Sequence, residues 1–178
     1  LFTCALALCT CFHGQTITTF LGQPEAISAG PLETPFPTGG AATARTQYLM
    51  QSTELALLPS AVLYGIVLEV LDNDSAGTTV DLQVQLKNTQ TSCMTDWEST
   101  GLQLASDTVD VHLEQGLLTL PFNTSLGSWT GNGFNMLVEI GMRRTGGPGL
   151  DPRVRLDTSF SCVPTIYAHD TSLVALAS

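Results

Sequence analysis

Hydrophobic and polar positions alternate along this chain with a period of two, in several separate places. The cleanest case is TVDLQVQLK, where Val80, Leu82, Val84 and Leu86 fall on one side and Asp81, Gln83, Gln85 and Lys87 on the other. A strand sends successive side chains to opposite faces, so this one buries the first set and turns the second toward solvent or a partner. The stretch from Gly116 to Met142 repeats the pattern twice. Leu118, Leu120 and Phe122 alternate with Thr119 and Pro121, and after a loop rich in Gly, Ser and Asn, Phe134, Met136, Val138 and Ile140 alternate with polar or small neighbours. Phe122, Val138 and Ile140 are the expected centre of the core.

Taken in order, the chain offers a short strand at Thr16 to Phe20, and then a segment from Leu21 to Gly40 whose four prolines and lack of period mark a loop. Ala44 to Met50 is a strand, with Arg45, Gln47 and Leu49 opposite Thr46, Tyr48 and Met50. QSTELALLPS supports one helical turn before Pro59. Ala61 to Val70 is almost continuously aliphatic and predicts a strand covered on both faces. Asn88 to Leu104 is a long connection carrying Cys93 and Trp97, followed by alternation at Val109 to Glu114. RVRLDTSF and TIYAH supply two further strands. About eight or nine short strands with no convincing amphipathic helix predict an all-β protein, an antiparallel two-sheet β-sandwich of jelly-roll type. An immunoglobulin-like sandwich is the alternative, weakened because Cys93, Trp97 and Cys162 stand in the wrong order for its signature.

Composition narrows the partners. The chain has 178 residues and a net charge of -10, from 16 acids and 6 bases, with Lys87 its one lysine. Nucleic-acid binding rests on clustered Lys and Arg and is excluded as a class. The nearest basic group, Arg143, Arg144, Arg153 and Arg155, brackets a Gly-Gly-Pro-Gly loop and is read as solvation of strand ends. The opening LFTCALALCTCFHGQ is apolar without an acid or base, and its length suits the core of a secretory leader better than a membrane span of roughly 20 residues. Residues 1–15 are therefore expected to be a leader remnant, 16–172 one sandwich domain, and 173–178 the start of a following segment, with no membrane span in the mature chain. Cleavage after Gln15 is expected, with lipidation at Cys9 or Cys11 as the competing reading. Either way Cys93 and Cys162 remain, and in an exported chain they are expected to form a disulfide, against the alternative of two separate buried thiols.

Three chemistries deserve weighing. Glu69, Glu114 and Glu139 are carboxylates of the kind a glycosidase pairs, yet each also suits the wet face of a strand. Asp72, Asn73 and Asp74 form an oxygen-rich loop that calcium favours, although they lack EF-hand spacing and suit a plain β-turn equally. No other cofactor is expected. Tyr48, Trp97 and Trp129 are the aromatics from which a sugar-stacking face is built, the competing role for Trp129 being to anchor a turn.

The ordered motifs ARTQYLMQSTEL, LYGIVLEV, VDLQVQLKNT and LPFNTSLGSWTGNGFNMLVEI together resemble a β-sandwich module of secreted and surface proteins of Bacteroidota. The matching positions are Arg45, Gln47, Glu54, Leu55, Pro121, Phe122, Trp129, Gly131, Asn135, Leu137, Val138, Glu139 and Ile140. The resemblance implies export, often by the type IX route, and residence among other modules of the same chain in adhesins, proteases or surface-layer-like proteins; it does not imply catalysis. The chain is accordingly expected to be part of a longer protein, extracellular or on the cell surface. Its expected role is a non-catalytic, adhesin-like module that engages a glycan or another surface component. A structural spacer and an accessory part of a secreted hydrolase are the alternatives.

Overall fold

The computed structural model describes residues 8–12, 15–19, 43–52, 62–70, 78–123, 129–130, 134–146 and 165–170. These build eleven strands: β1 (Leu8–Phe12), β2 (Gln15–Thr19), β3 (Thr43–Met50), β4 (Val62–Leu63), β5 (Gly65–Val70), β6 (Thr79–Thr89), β7 (Gln103–His112), β8 (Gly116–Pro121), β9 (Trp129–Thr130), β10 (Asn135–Gly146) and β11 (Thr165–Asp170). All pairing is antiparallel. The large sheet has the order β11-β3-β10-β6-β7, β5 pairs with β8, and a further sheet runs β2-β1-β4-β9.

The pairing is nested. β3 joins β10, β5 joins β8 and β6 joins β7, so the first of these six strands finds the last and the second finds the next to last. This is the winding of a jelly roll, which selects that expectation over the immunoglobulin-like alternative. The chain reverses between β6 and β7, through residues 90–102.

The core lies between the large sheet and the β5-β8 pair. Val80, Leu82, Val84 and Leu86 of β6, Met136, Val138, Ile140 and Met142 of β10, and Tyr48 and Met50 of β3 face Ile66, Leu68, Val70, Leu120 and Phe122 across it. Burial of such side chains contributes about 1.5–3 kcal/mol each, so this face dominates the stability. The expected centre of Phe122, Val138 and Ile140 is there, and all four apolar positions of the cleanest alternation are fully buried.

Three expectations change. The run from Ala61 to Val70 breaks at Tyr64, where β4 hands over to β5 and the chain exchanges partners from β1 and β9 to β8. Gly65 makes the handover feasible, because a Cβ there would stand 2.8 Å from the Leu120 carbonyl oxygen. Val67 is only half-buried, so β5 is not sealed on both faces. Phe134 precedes β10 and is 45% exposed, so the apolar row of that strand begins at Met136. The alternation at Val109 to Glu114 does not persist either. β7 starts at Gln103 and carries a β-bulge, in which Val109 and Asp110 stand opposite Asp81 alone, between the pairs Val80 with Val111 and Leu82 with Thr108. Asp110 adopts φ 52 and Val109 is 69% exposed.

Leu8–Phe12, within the stretch read as a leader, pairs with β2 and with Leu63 of β4. The strand expected at RVRLDTSF and the helical turn beyond Ser52 lie outside the described residues.

Candidate functional site

The outer face of the large sheet holds most of the polar residues singled out in the sequence. Strand registry fixes its rows: Leu49, Leu137 and Lys87 at one end, then Gln47, Glu139 and Gln85, then Arg45, Gly141 and Gln83, and finally Thr43, Arg143 and Asp81. Residues 90–102 fold back as a strap over Leu49 and Leu137 of the first row and Gln47 of the second, with Lys87 at its edge. Its Met94 and Leu102 pack on Leu49 and Leu137, a small apolar cluster separate from the main core.

Polar bonds hold the strap where apolar contact ends. The Gln47 side chain faces the peptide group of Glu98 as a second strand would: its Nε2 donates to the Glu98 carbonyl at 2.6 Å, and the Glu98 N–H donates to its Oε1 at 3.0 Å. An amide side chain carries the donor and the acceptor that such an exchange needs. Gln47 Nε2 also donates to Glu139 Oε2 at 2.7 Å. The other Glu139 oxygen accepts from Arg45 Nε at 3.1 Å and Nη2 at 2.6 Å. Glu139 is 3% exposed, so its charge depends on these partners. The Trp97 ring of the strap lies 5.3 Å from the Arg45 guanidinium, a cation–π contact that covers the ion pair from outside.

Further bonds fasten the two ends of the strap. Lys87 donates to Glu98 Oε2 at 2.7 Å, and the Thr91 hydroxyl donates to Glu98 Oε1 at 2.7 Å. The Lys87 ammonium, with help from Thr91, holds the Glu98 carboxyl below its ordinary range against the opposing effect of burial. Asn135 Nδ2 donates to the Thr91 carbonyl at 2.8 Å, and its Oδ1 accepts the Ser52 N–H at 2.8 Å. Where the strap runs into β7, Gly101 takes φ +74, a conformation that disfavours any side chain.

The far row is closed by another ion pair. Asp81 Oδ2 accepts from Arg143, and Oδ1 accepts the N–H of the bulge residue Asp110 at 3.2 Å. The Arg143 hydrogen bond chiefly depresses the Asp81 carboxyl below its ordinary value, while burial opposes it.

The structure thus brings together Arg45, Gln47, Asn135 and Glu139, four residues separated by up to 94 positions that sequence reading had joined only as a motif order. Phe122 belongs instead to the main core. Trp129 is set in β9 with its backbone opposite Leu63, and Glu54 lies outside the described residues. Of the candidate stacking aromatics, Trp97 is half-buried on the strap, whereas Tyr48 is 4% exposed. Tyr48 is therefore no stacking platform: its place in β3 shares the inner parity of Thr46 and Met50, which directs the ring into the core. Cys93 is half-buried on the strap with a free thiol, unlike the bridged state expected, and Cys162 lies outside the described residues. Asp72, Asn73 and Asp74 also lie outside them, and among the described residues no group of three or more His, Cys, Asp or Glu is placed to hold a metal. Among the described residues no helix is long and apolar enough to cross a membrane. Sequence reading missed Glu98 and Thr91, since a connection without periodicity gives no sign of which face it returns to, and it placed Lys87 on the outward face without its partner.

No family model, curated protein or solved structure matches this chain.

Chemically, the strapped face is a framework. Both oxygens of Glu139 accept from fixed donors, and Glu98 is similarly engaged by Lys87 and Thr91. Carboxylates so tied position the chain.

Proposed function

We propose that this chain is a non-catalytic, exported, adhesin-like module of a larger bacterial protein, similar to the surface modules of Bacteroidota, and that it engages a glycan or another cell-surface component. The observation that carries the reading is the use made of the motif residues: Gln47 and Asn135 bond the strap, Arg45 meets its Trp97 ring, and Glu139 braces Arg45 and Gln47 from below. A motif spent on scaffolding fits a module defined by shape, with its recognition surface elsewhere on the same face. Of the other acids weighed for catalysis, Glu114 is exposed just beyond the end of β7. The net charge of -10 favours solubility and discourages anionic partners. Export rests on the apolar run before Gln15, and removal of that run would take β1 away and leave β4 without its partner on that side.

The deciding experiment incubates the purified 178-residue chain with intact bacterial and host cells and with a panel of polysaccharides and peptides. Saturable surface binding without turnover is the expected result. Turnover of any of these substrates, lost in Glu114→Gln, would overturn it.

A further inference from the structure

Along the outer side of β6, the two end residues are neutralised within the chain and the two middle ones are not. Asp81 is paired with Arg143, and Lys87 with Glu98. Gln83 and Gln85 between them are half-buried, and neither amide has a hydrogen-bond partner among the described residues. A half-buried primary amide that forgoes internal bonds keeps two donors and an acceptor free for something outside. Standing two apart on one strand, the two amides are about 7 Å from each other on the same face.

Registry supplies their surroundings. On β7, Gln83 faces the exposed Asp107 and Gln85 faces the half-buried Leu104. On the other side, Gln83 faces the buried Gly141, whose far neighbour on β3 is Arg45 with the Trp97 ring over it. Arg45 and Gln83 are two strands apart, about 10 Å, and Gly141 puts no side chain between them. One aromatic, one aliphatic side chain, two amides and a carboxylate thus share a face.

We propose that Gln83, Gln85 and Asp107, with Leu104 and Trp97 at their flanks, form the binding face for a neutral saccharide. The charge pattern selects that ligand class. Arg45, Lys87 and Arg143, the cations of this face among the described residues, are each bonded to a carboxylate of the chain, which leaves none of the three spare for a sulfate, phosphate or uronic acid. Asp107 and the overall negative charge repel such groups further. Neutral hydroxyls, which donate and accept together, match amides and a carboxylate, while the apolar side of a sugar ring suits indole and leucine. This inference rests on the binding-module reading and gives it a ligand class and a place.

The test screens the full chain against neutral and anionic glycans and titrates the best neutral oligosaccharide calorimetrically, with Gln83→Ala/Gln85→Ala and Asp107→Asn as variants. The double variant should bind at least about tenfold more weakly, since each lost hydrogen bond is worth about 1 kcal/mol, at an unchanged melting temperature. Asp107→Asn, at an exposed position, tests the same face without touching the strap and should weaken binding several-fold. Neutral-glycan binding that both variants retain in full overturns the site, while the binding-module reading survives. Recognition confined to anionic glycans or to a protein overturns the ligand class and again leaves that reading intact. Binding to no glycan and no cell surface overturns both.

Discussion

The two faces of the large sheet are built on opposite plans. Its inner face is a field of aliphatic side chains from β3, β6 and β10, held by contacts that have no preferred direction. Its outer face is held by directional bonds, in which Gln47, Arg45 and Glu139 each have one suitable partner geometry. Apolar packing tolerates substitutions of similar volume, whereas a buried ion pair fails when either member is removed. Adjacent positions of β10, Glu139 and Ile140, therefore answer to different rules.

The sharpest break in that comparison is Glu139→Ala. It takes the charged acceptor from Gln47 and from the partly exposed Arg45, and with hydrogen bonds to a charged group worth about 1.5–3 kcal/mol each it should cost about 3–5 kcal/mol in urea unfolding. The combined Arg45→Met/Glu139→Leu variant replaces both charges with apolar groups and should recover most of that loss. A double variant no better than the single would show that the pair itself, and not the stranded charge, sets the stability.

Next in size is the inner face. Ile140→Ala should cost about 2–5 kcal/mol and Ile140→Val about 0.5–1.5, a graded response that the outer face should lack. Equal midpoints for Ile140→Ala and the parent chain would contradict the central place given to that residue.

Acidity separates the faces without mutation. Asp81 and Glu98 both have folded-state values depressed below their ordinary 3.8 and 4.5. Their contribution is complete above those values and is lost as pH falls through the lower, folded-state ones. The urea midpoint should accordingly start to drop as pH falls below about 4.5 and go on dropping through the depressed folded-state values. Asp81→Asn should flatten the acid end of that profile, whereas Ile140→Val should lower the whole curve and leave its shape unchanged.

The smallest expected effect is Gly101→Ala, where a side chain meets φ +74. A loss of about 1 kcal/mol, with greater proteolytic nicking of the strap than of the strands, is the expected outcome.

Much of the inner face was legible in the sequence, because a wet-and-dry alternation writes itself into residue order. Val80 to Leu86 and Met136 to Ile140 needed no other signal. The errors fall where a local event breaks the period: the bulge at Asp110, the partner exchange at Tyr64 and the exposed Phe134. The outer face was legible only as a requirement. Asp81, Gln83, Gln85 and Lys87 had to meet solvent or a partner, and the partner over Lys87 proved to be the connection that follows β6. The bond from Gln47 to Glu98 spans 51 residues and has no periodic trace, so position in the fold alone reveals it.

The nested winding also has a temporal consequence. β10 is the keystone between β3 and the β6-β7 pair, and it comes after both in the chain. Until Gly146 has left the ribosome, the large sheet exists only as separate pieces, and Arg45 must await a carboxylate 94 residues away. Closing loops of that length before any contact rewards them slows folding to milliseconds or longer in β topologies of this kind. A chain that delays its own closure is one that a translocation channel can thread while it is still unfolded.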